Sequence, residues 1–337
     1  MIRQLAIDVV EESQIGEVRR RAVSFGKAAN FGEIEHGKLA IVVNELAQNL
    51  VKHAQNGQIL LQIAPLSSND EVEVIAIDSG PGIQNIGQCL QDGYSTAGTM
   101  GMGLGAVQRQ SMEFDIYSQV ATGTVMVARV GSERNRASRS PFFDVGSVSI
   151  AMPGEEVCGD AWACRTISSK AQVIVADGLG HGPLAQEAAL CATNSFQKLN
   201  FVDSKSSLQS AHLALSGTRG AAAAVACVDV QLKKLQYAGV GNISGNLIIG
   251  DRVYGLISHN GIVGVQQRKT EQYEYPLGGD GLLIMHSDGL RTRWSLTDHP
   301  GLRTRHPALI AAVLYRDYCR TRDDATVVVT RFQTVRE

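Results

Sequence analysis

The chain runs to 337 residues, 44% of them hydrophobic and 19% charged, with a formal net charge of −2. That length suits two domains, and that composition is globular, neither disordered nor membrane-like. The near-neutral balance gives no general pull toward nucleic acid or anionic lipid, and no apolar run approaches the roughly 20 residues that span a bilayer. Glu11 and Glu12 arrive too soon for a secretion signal. Six cysteines without a C-x-x-C pair indicate reduced thiols in the cytoplasm rather than a zinc knuckle or a redox motif.

In chain order, residues 38–54 place Leu39, Val42, Val43, Leu46 and Leu50 on one helical stripe. Residues 71–78 alternate like a half-buried strand, and 124–130 predict another. The stretch 131–140 is polar and aperiodic and runs into Pro141, so 131–144 is the expected linker. It separates an N-terminal domain, 1–130, from a C-terminal domain, 145–332. Beyond it strands are expected at 171–177, 221–230, 246–249, 281–286 and 325–330, and helices at 184–199 and 307–320. The fold class is α/β (α+β), with no internal repeat.

Three motifs stand in the first half. Glu45, Asn49 and His53 recur at i, i+4 and i+8 and share a helical face, roughly opposite the apolar stripe. An amide oxygen there can hold Mg²⁺ while the carboxylate accepts a proton, although such spacing alone usually marks a solvated face. Asp78, closing its strand, is followed by Ser-Gly-Pro-Gly, with Gly80 and Gly82. A carboxylate at that place can accept from an exocyclic amine, and the glycines let backbone approach a ring; the plain alternative is a turn. Gly101, Gly103 and Gly105 fit a lid whose amides meet phosphate at a helix start, a weak signal by itself.

Together, and in this order, these motifs and Gly123-Thr124 resemble the Bergerat-fold ATPases, over nearly all of 1–130. The Glu-x-x-x-Asn-x-x-x-His helix and compact lid look like the serine kinases of bacterial anti-sigma switches. The resemblance implies an α/β sandwich that binds ATP. In it Asn49 holds Mg²⁺, Glu45 is the general base, Asp78 reads adenine and Thr124 supports it. His53, Gly80, Gly82, Gly101, Gly103 and Gly105 complete the nucleotide site.

In the second half, Asp160, Asp177, Asp288 and Asp323 fall at predicted strand ends or turns. Clustered carboxylates repel unless a cation lies between them, and hard oxygen donors with no His or Cys partners suit Mg²⁺ or Mn²⁺ rather than zinc. Taken singly, each is an ordinary turn residue. Gly159-Asp160, Asp177-Gly-Leu-Gly-His-Gly182, Ser287-Asp-Gly289 and Asp323-Asp-Ala-Thr326 resemble the SpoIIE-like branch of metal-dependent protein phosphatases, from about residue 145 to 332. That resemblance implies an α-β-β-α fold with two divalent metals. Their ligands would be Asp160, Asp177, Asp288, Asp323 and the Gly178 carbonyl, with Asp177 and Asp288 catalytic. Asp324 stands behind them, and it and Asp323 can exchange roles. No equivalent of the phosphate-gripping arginine of larger eukaryotic members is found.

The two resemblances imply a regulator that phosphorylates and dephosphorylates a serine on a partner protein, an anti-sigma-factor antagonist with a STAS domain. Two alternatives stand beside it: a phosphatase gated by an ATP sensor, and an N-terminal module that sequesters its partner.

Overall fold

The computed structural model describes residues 4–67, 70–90, 103–132, 140–265 and 270–334. Gly101 and half of the expected linker, 133–139, lie outside the described residues. The chain divides into two compact units. One holds Ile2–Arg139 and Ser295–Arg316; the other holds Ser140–Trp294 and Asp317–Glu337, with Met1 assigned to it as well.

In the N-terminal unit the order is β1 (Leu5–Asp8), α1 (Glu12–Ala28), α2 (Glu33–His53), β2 (Gln58–Ile63) and β3 (Glu71–Ile77). Next come a single turn, α3 (Ile86–Cys89), and then α4 (Gly103–Gln110), β4 (Glu113–Gln119) and β5 (Gly123–Gly131). The strands form one antiparallel sheet in the order β1-β2-β3-β5-β4. Leu39, Val42, Val43, Leu46 and Leu50 of α2 are all buried, in a core they share with Val18 and Ala22 of α1 and with Ile59, Leu61, Val72 and Val74 of the sheet. Helix α2 starts at Glu33, ahead of the apolar stripe. Glu35 accepts from the Gly32 N–H at 3.1 Å, and two acidic residues stand in the first turn, where the helix dipole favours them.

Strand β3 corrects the expectation of a half-buried strand, for every residue of it is buried. Its central acidic residue, Glu73, is met by a polar ladder across four strands, following the register Gln62↔Glu73↔Arg129↔Glu113. Glu73 accepts from Gln62 Nε2 at 2.6 Å and from Arg129 Nε at 2.7 Å, and Arg129 Nη1 donates to Glu113 at 3.2 Å. A carboxylate with no exposure is tolerable only when so paired.

In the C-terminal unit two antiparallel five-stranded sheets form. The first is β13-β10-β9-β8-β7, from β7 (Asp160–Ile167), β8 (Lys170–Gly178), β9 (Ala221–Asp229), β10 (Lys234–Val240) and β13 (Tyr273–Pro276). The second is β12-β11-β14-β15-β6, from β6 (Phe143–Ile150), β11 (Ser244–Ile249), β12 (Arg252–Leu256), β14 (Gly281–His286) and β15 (Ala325–Phe332). Helices α5 (Pro183–Lys198) and α6 (Ser204–Ala214) pack on the first sheet through Ala188, Ala189, Ala192 and Ala211 against Ala163, Ile174, Ala176 and Ala223. Small side chains on both sides let helix and sheet approach closely. Helix α7 (Pro307–Tyr318) follows, and all but its last two residues fall in the segment Ser295–Arg316 that is grouped with the N-terminal unit.

Arg129→Ala leaves Glu73 as an uncompensated buried charge and is expected to cost the N-terminal unit about 3–5 kcal/mol. Replacing Glu73 and Arg129 together by leucine is expected to recover much of that. Denaturant unfolding of the three proteins checks both expectations.

Candidate functional sites

A cavity of about 430 Å³ opens in the N-terminal unit, lined by Glu45, Asn49, His53, Asp78, Gly82, Gly103 and Thr124, with Gln48, Lys52, Leu104 and Met126. Glu45 and Asn49 are half-buried and His53 is exposed. Their face therefore adjoins the apolar stripe rather than opposing it, because steps of four residues turn only about 40° around a helix. Gly80 and Gly105 are not in the cavity wall: Gly80 braces the Asp78 turn, and Gly105 is buried in α4.

Asp78 leaves β3 with 7% exposure. Its Oδ1 accepts from the Gly80 N–H at 2.7 Å, and its own N–H donates to the Thr124 carbonyl at 2.9 Å. Burial raises the carboxyl above its ordinary value, while the backbone N–H groups of Gly80 and Thr124 and the Arg316 guanidinium hold it down. Thr124 shares a hydrogen bond with Ser118 at 2.9 Å, and Ser118 Oγ accepts from the Ile83 N–H at 2.7 Å. Gly82 has φ of 73°, and a Cβ on it would strike the Gln119 carbonyl, so this turn requires glycine.

The second site lies where the two sheets of the C-terminal unit bring strand ends together. Asp160 opens β7 and pairs in register with Asp177 near the end of β8. Asp288 follows β14, and Asp323 and Asp324 precede β15. Asp160 and Asp324 are buried and already engaged. Ser287 Oγ donates to Asp160 at 2.6 Å and accepts from the Thr326 N–H at 3.0 Å. Asp324 accepts from the N–H groups of Met152 and Gly159, both at 2.8 Å. The remaining three, Asp177, Asp288 and Asp323, are half-exposed.

These three act on one another. Asp177 is pushed up to about 7, first by burial and then by Asp288, Asp323 and Asp324, with the Asn242 amide opposing. Asp323 is raised by burial and then by Asp288, with which it shares a hydrogen bond. Asn242 Nδ2 donates to Asp288 at 2.8 Å. Among the described residues, no three acidic, His or Cys side chains converge at ligating spacing. The arrangement is an unneutralised rim of hard oxygen donors.

Ser287, Thr326 and Asn242 are site residues that motif reading left in the background. The signatures Ser-Asp-Gly and Asp-Asp-x-Thr contain the first two. The contacts they make lie 127 and 46 positions away in sequence, for Ser287 and Asn242 respectively.

Comparison with known proteins decides the family. A histidine kinase-like ATPase domain matches residues 9–130, and a stage II sporulation protein E (SpoIIE) domain matches residues 168–333. The serine/threonine-protein kinase RsbT of Bacillus subtilis is 31% identical over 125 residues, covering 37% of this chain and 94% of RsbT. The chain belongs to the histidine kinase-like ATPase family, fused to a SpoIIE-type phosphatase domain. The phosphoserine phosphatase RsbX of the same organism is 29% identical over 140 residues, covering 41% of this chain and 69% of RsbX. A solved structure of the PP2C phosphatase domain and part of the regulatory domain of Bacillus subtilis SpoIIE aligns with a TM-score of 0.50 at 19% identity. It spans 96% of this chain and 93% of that one, and it speaks for the fold. The C-terminal unit thus has a PP2C-type serine/threonine phosphatase fold, a metal-dependent class. Among the described residues no helix is long and apolar enough to cross a membrane.

Ser287→Ala removes the donor to a buried carboxylate and the acceptor for Thr326, and is expected to destabilise the C-terminal unit by about 2–3 kcal/mol in denaturant unfolding. Gly103 opens α4 at a φ of 58°, a backbone shape costly for other residues. Gly103→Ala is accordingly expected to weaken ATP binding, measured by calorimetry, while circular dichroism stays unchanged.

Proposed function

We propose that this protein is a bifunctional, cytoplasmic regulator that phosphorylates a serine on a partner protein with ATP and removes that phosphate again with a metal-dependent phosphatase. The partner class that fits the RsbT-like half is a STAS-domain anti-sigma-factor antagonist. The observation that carries the kinase half is Glu45, which stands in the cavity wall with Asn49 one turn away and with Asp78 lining the same cavity. Holding ATP needs an amide for Mg²⁺ and a carboxylate for adenine; only phosphoryl transfer needs a second carboxylate as base. Asp78 accepts from the adenine amine, held in place by Gly80 and Thr124. Asn49 offers its amide oxygen to Mg²⁺. Glu45 takes the proton of the attacking serine hydroxyl as its oxygen bonds to the γ-phosphorus and ADP leaves.

In the C-terminal half Asp177, Asp288 and Asp323, with the Gly178 carbonyl, would hold Mg²⁺ or Mn²⁺. Mutual repulsion among the three and an all-oxygen donor set both fit hard divalent cations. Asp160 sits on the same rim, oriented by Ser287. Bound metal there supplies a water of lowered pKa and charge stabilisation for the phosphoryl group. Asn242 keeps Asp288 aimed at the rim.

A second reading makes the ATP module a gate on the phosphatase. One observation favours it: Ser295–Arg316, which joins the strand before Asp288 to the one after Asp323, belongs to the unit with the ATP cavity. Within that unit Arg316 donates to the Asp78 carbonyl at 3.4 Å, and Asp115 accepts from the His306 N–H at 2.7 Å and from Arg305 at 3.1 Å.

The test combines the full-length protein with ATP, Mg²⁺ and purified STAS-domain proteins, reading phosphoserine by mass spectrometry. Phosphoserine is expected with wild type and to accumulate with Asp288→Asn, and to be absent with Asp78→Asn. Dephosphorylation is expected to persist in Asp78→Asn and to vanish in Asp288→Asn or with a chelator. ATP-dependent change in phosphatase rate without any phosphoserine would favour the gate instead.

A further inference from the structure

The rim of aspartates repels the very group it is to process, a phosphate carrying up to two negative charges. A cation fixed close to that rim would offset this. In register, Asp177 pairs with Ala222 and Gly178 with Ala221 across β8 and β9. The Leu179 N–H extends the ladder to the Gly220 carbonyl at 3.1 Å, so Arg219 comes opposite Gly180, three residues beyond Asp177. Its guanidinium reaches over that loop: Nη1 is 3.1 Å from the point where a Cβ on Gly180 would stand.

The backbone beneath Arg219 is pinned. Thr218 Oγ1 accepts from the Gly220 N–H at 3.0 Å and donates to the Leu215 carbonyl at 2.7 Å, and Ala221 exchanges two hydrogen bonds with Val263. The side chain is exposed and, among the described residues, has neither an ion-pair nor a hydrogen-bond partner. Two other cationic side chains of the unit are committed elsewhere. His181, in the same loop, is held by Glu155 at 2.6 Å, and Arg165 is bound to Gln172 and to the carbonyls of Leu199 and Asn200. A guanidinium that is anchored at its base and free at its tip suits bidentate capture of a phosphomonoester.

We infer that Arg219 binds the non-bridging phosphate oxygens of the phosphoserine substrate at the mouth of the aspartate rim. The inference rests on the phosphatase reading above. Because Arg219 stands at the mouth and holds no reacting atom, its contribution falls on substrate capture, and the hydrolysis itself is left to the rim.

The test uses the full-length protein with Mn²⁺, p-nitrophenyl phosphate as substrate and inorganic phosphate as competitor. Arg219→Ala is expected to raise both KM and the phosphate inhibition constant about tenfold, the scale of a lost charge-assisted hydrogen bond, with kcat changing far less. Arg219→Lys, which keeps the charge and loses the fork, is expected to recover part of both. Unchanged KM and inhibition constant in Arg219→Ala would overturn the inference. So would an equal loss in kcat accompanied by a lost thermal response to Mn²⁺, since that would make Arg219 a support of the loop. Should the wild type not turn over at all, the phosphatase reading fails by itself. Calorimetric binding of inorganic phosphate in Mn²⁺ then decides on Arg219: loss of binding in Arg219→Ala sustains the contact, and equal binding overturns it.

Discussion

Like charge gathered at the ends of two sheets is the constraint around which the C-terminal unit is organised. Asp177, Asp288 and Asp323 come from three separate strand ends, and burial and the charge of Asp288 disfavour the ionised forms of Asp177 and Asp323. The surrounding polar groups are spent on holding the rim in shape. Ser287 and Thr326 tie Asp160 of one sheet to β15 of the other, and Asp324 gathers in the backbone of Met152 and Gly159. None of these contacts neutralises the three exposed members. Folding alone thus leaves the charge in place, and a cation is the natural complement.

The N-terminal unit solves a related problem in the opposite manner. There the buried carboxylate Glu73 is neutralised internally by Arg129 and Gln62, inside a ladder that has no part in the cavity. Among the described residues, Glu45, Asn49 and Asp78 in the cavity have no such internal cation pairing, apart from Arg316, whose guanidinium reaches the Asp78 carbonyl and acts on its carboxylate. One unit has its structural charge silenced and its functional groups open to a nucleotide. The other exposes charge as the functional feature.

Much of this was legible in the chain. The aspartates of the second half sit at ends of strands rich in Val, Ile and Ala, whose periodicity is strong, so their placement at one rim followed from local pattern. Leu39, Val42, Val43, Leu46 and Leu50 are buried as their spacing implied. Three things were not legible. Glu71 and Glu73 looked like the wet face of a strand, because a cross-strand arginine cannot be seen from a period of two. The strands β1, β2, β4, β6, β7, β10, β12 and β13 and helices α1 and α6 carry weaker local signals and take their form from what they pack against. The contacts of Asn242, Ser287 and Arg219 join residues on different elements: the registers of β8 with β9, of β11 with β14 and of β14 with β15 bring them to the rim, and Ser287 meets Asp160 across the two sheets.

The most direct measurement is thermal unfolding of the full chain during titration with Mn²⁺ and, separately, Mg²⁺. If the rim is a cation site, the transition of the C-terminal unit rises with metal. It gains about 2.7 kcal/mol once metal exceeds its dissociation constant a hundredfold, returns to the start with chelator, and responds far less in Asp177→Asn. A C-terminal transition that is the same in chelator and in saturating metal would contradict the account, leaving the aspartates as turn residues.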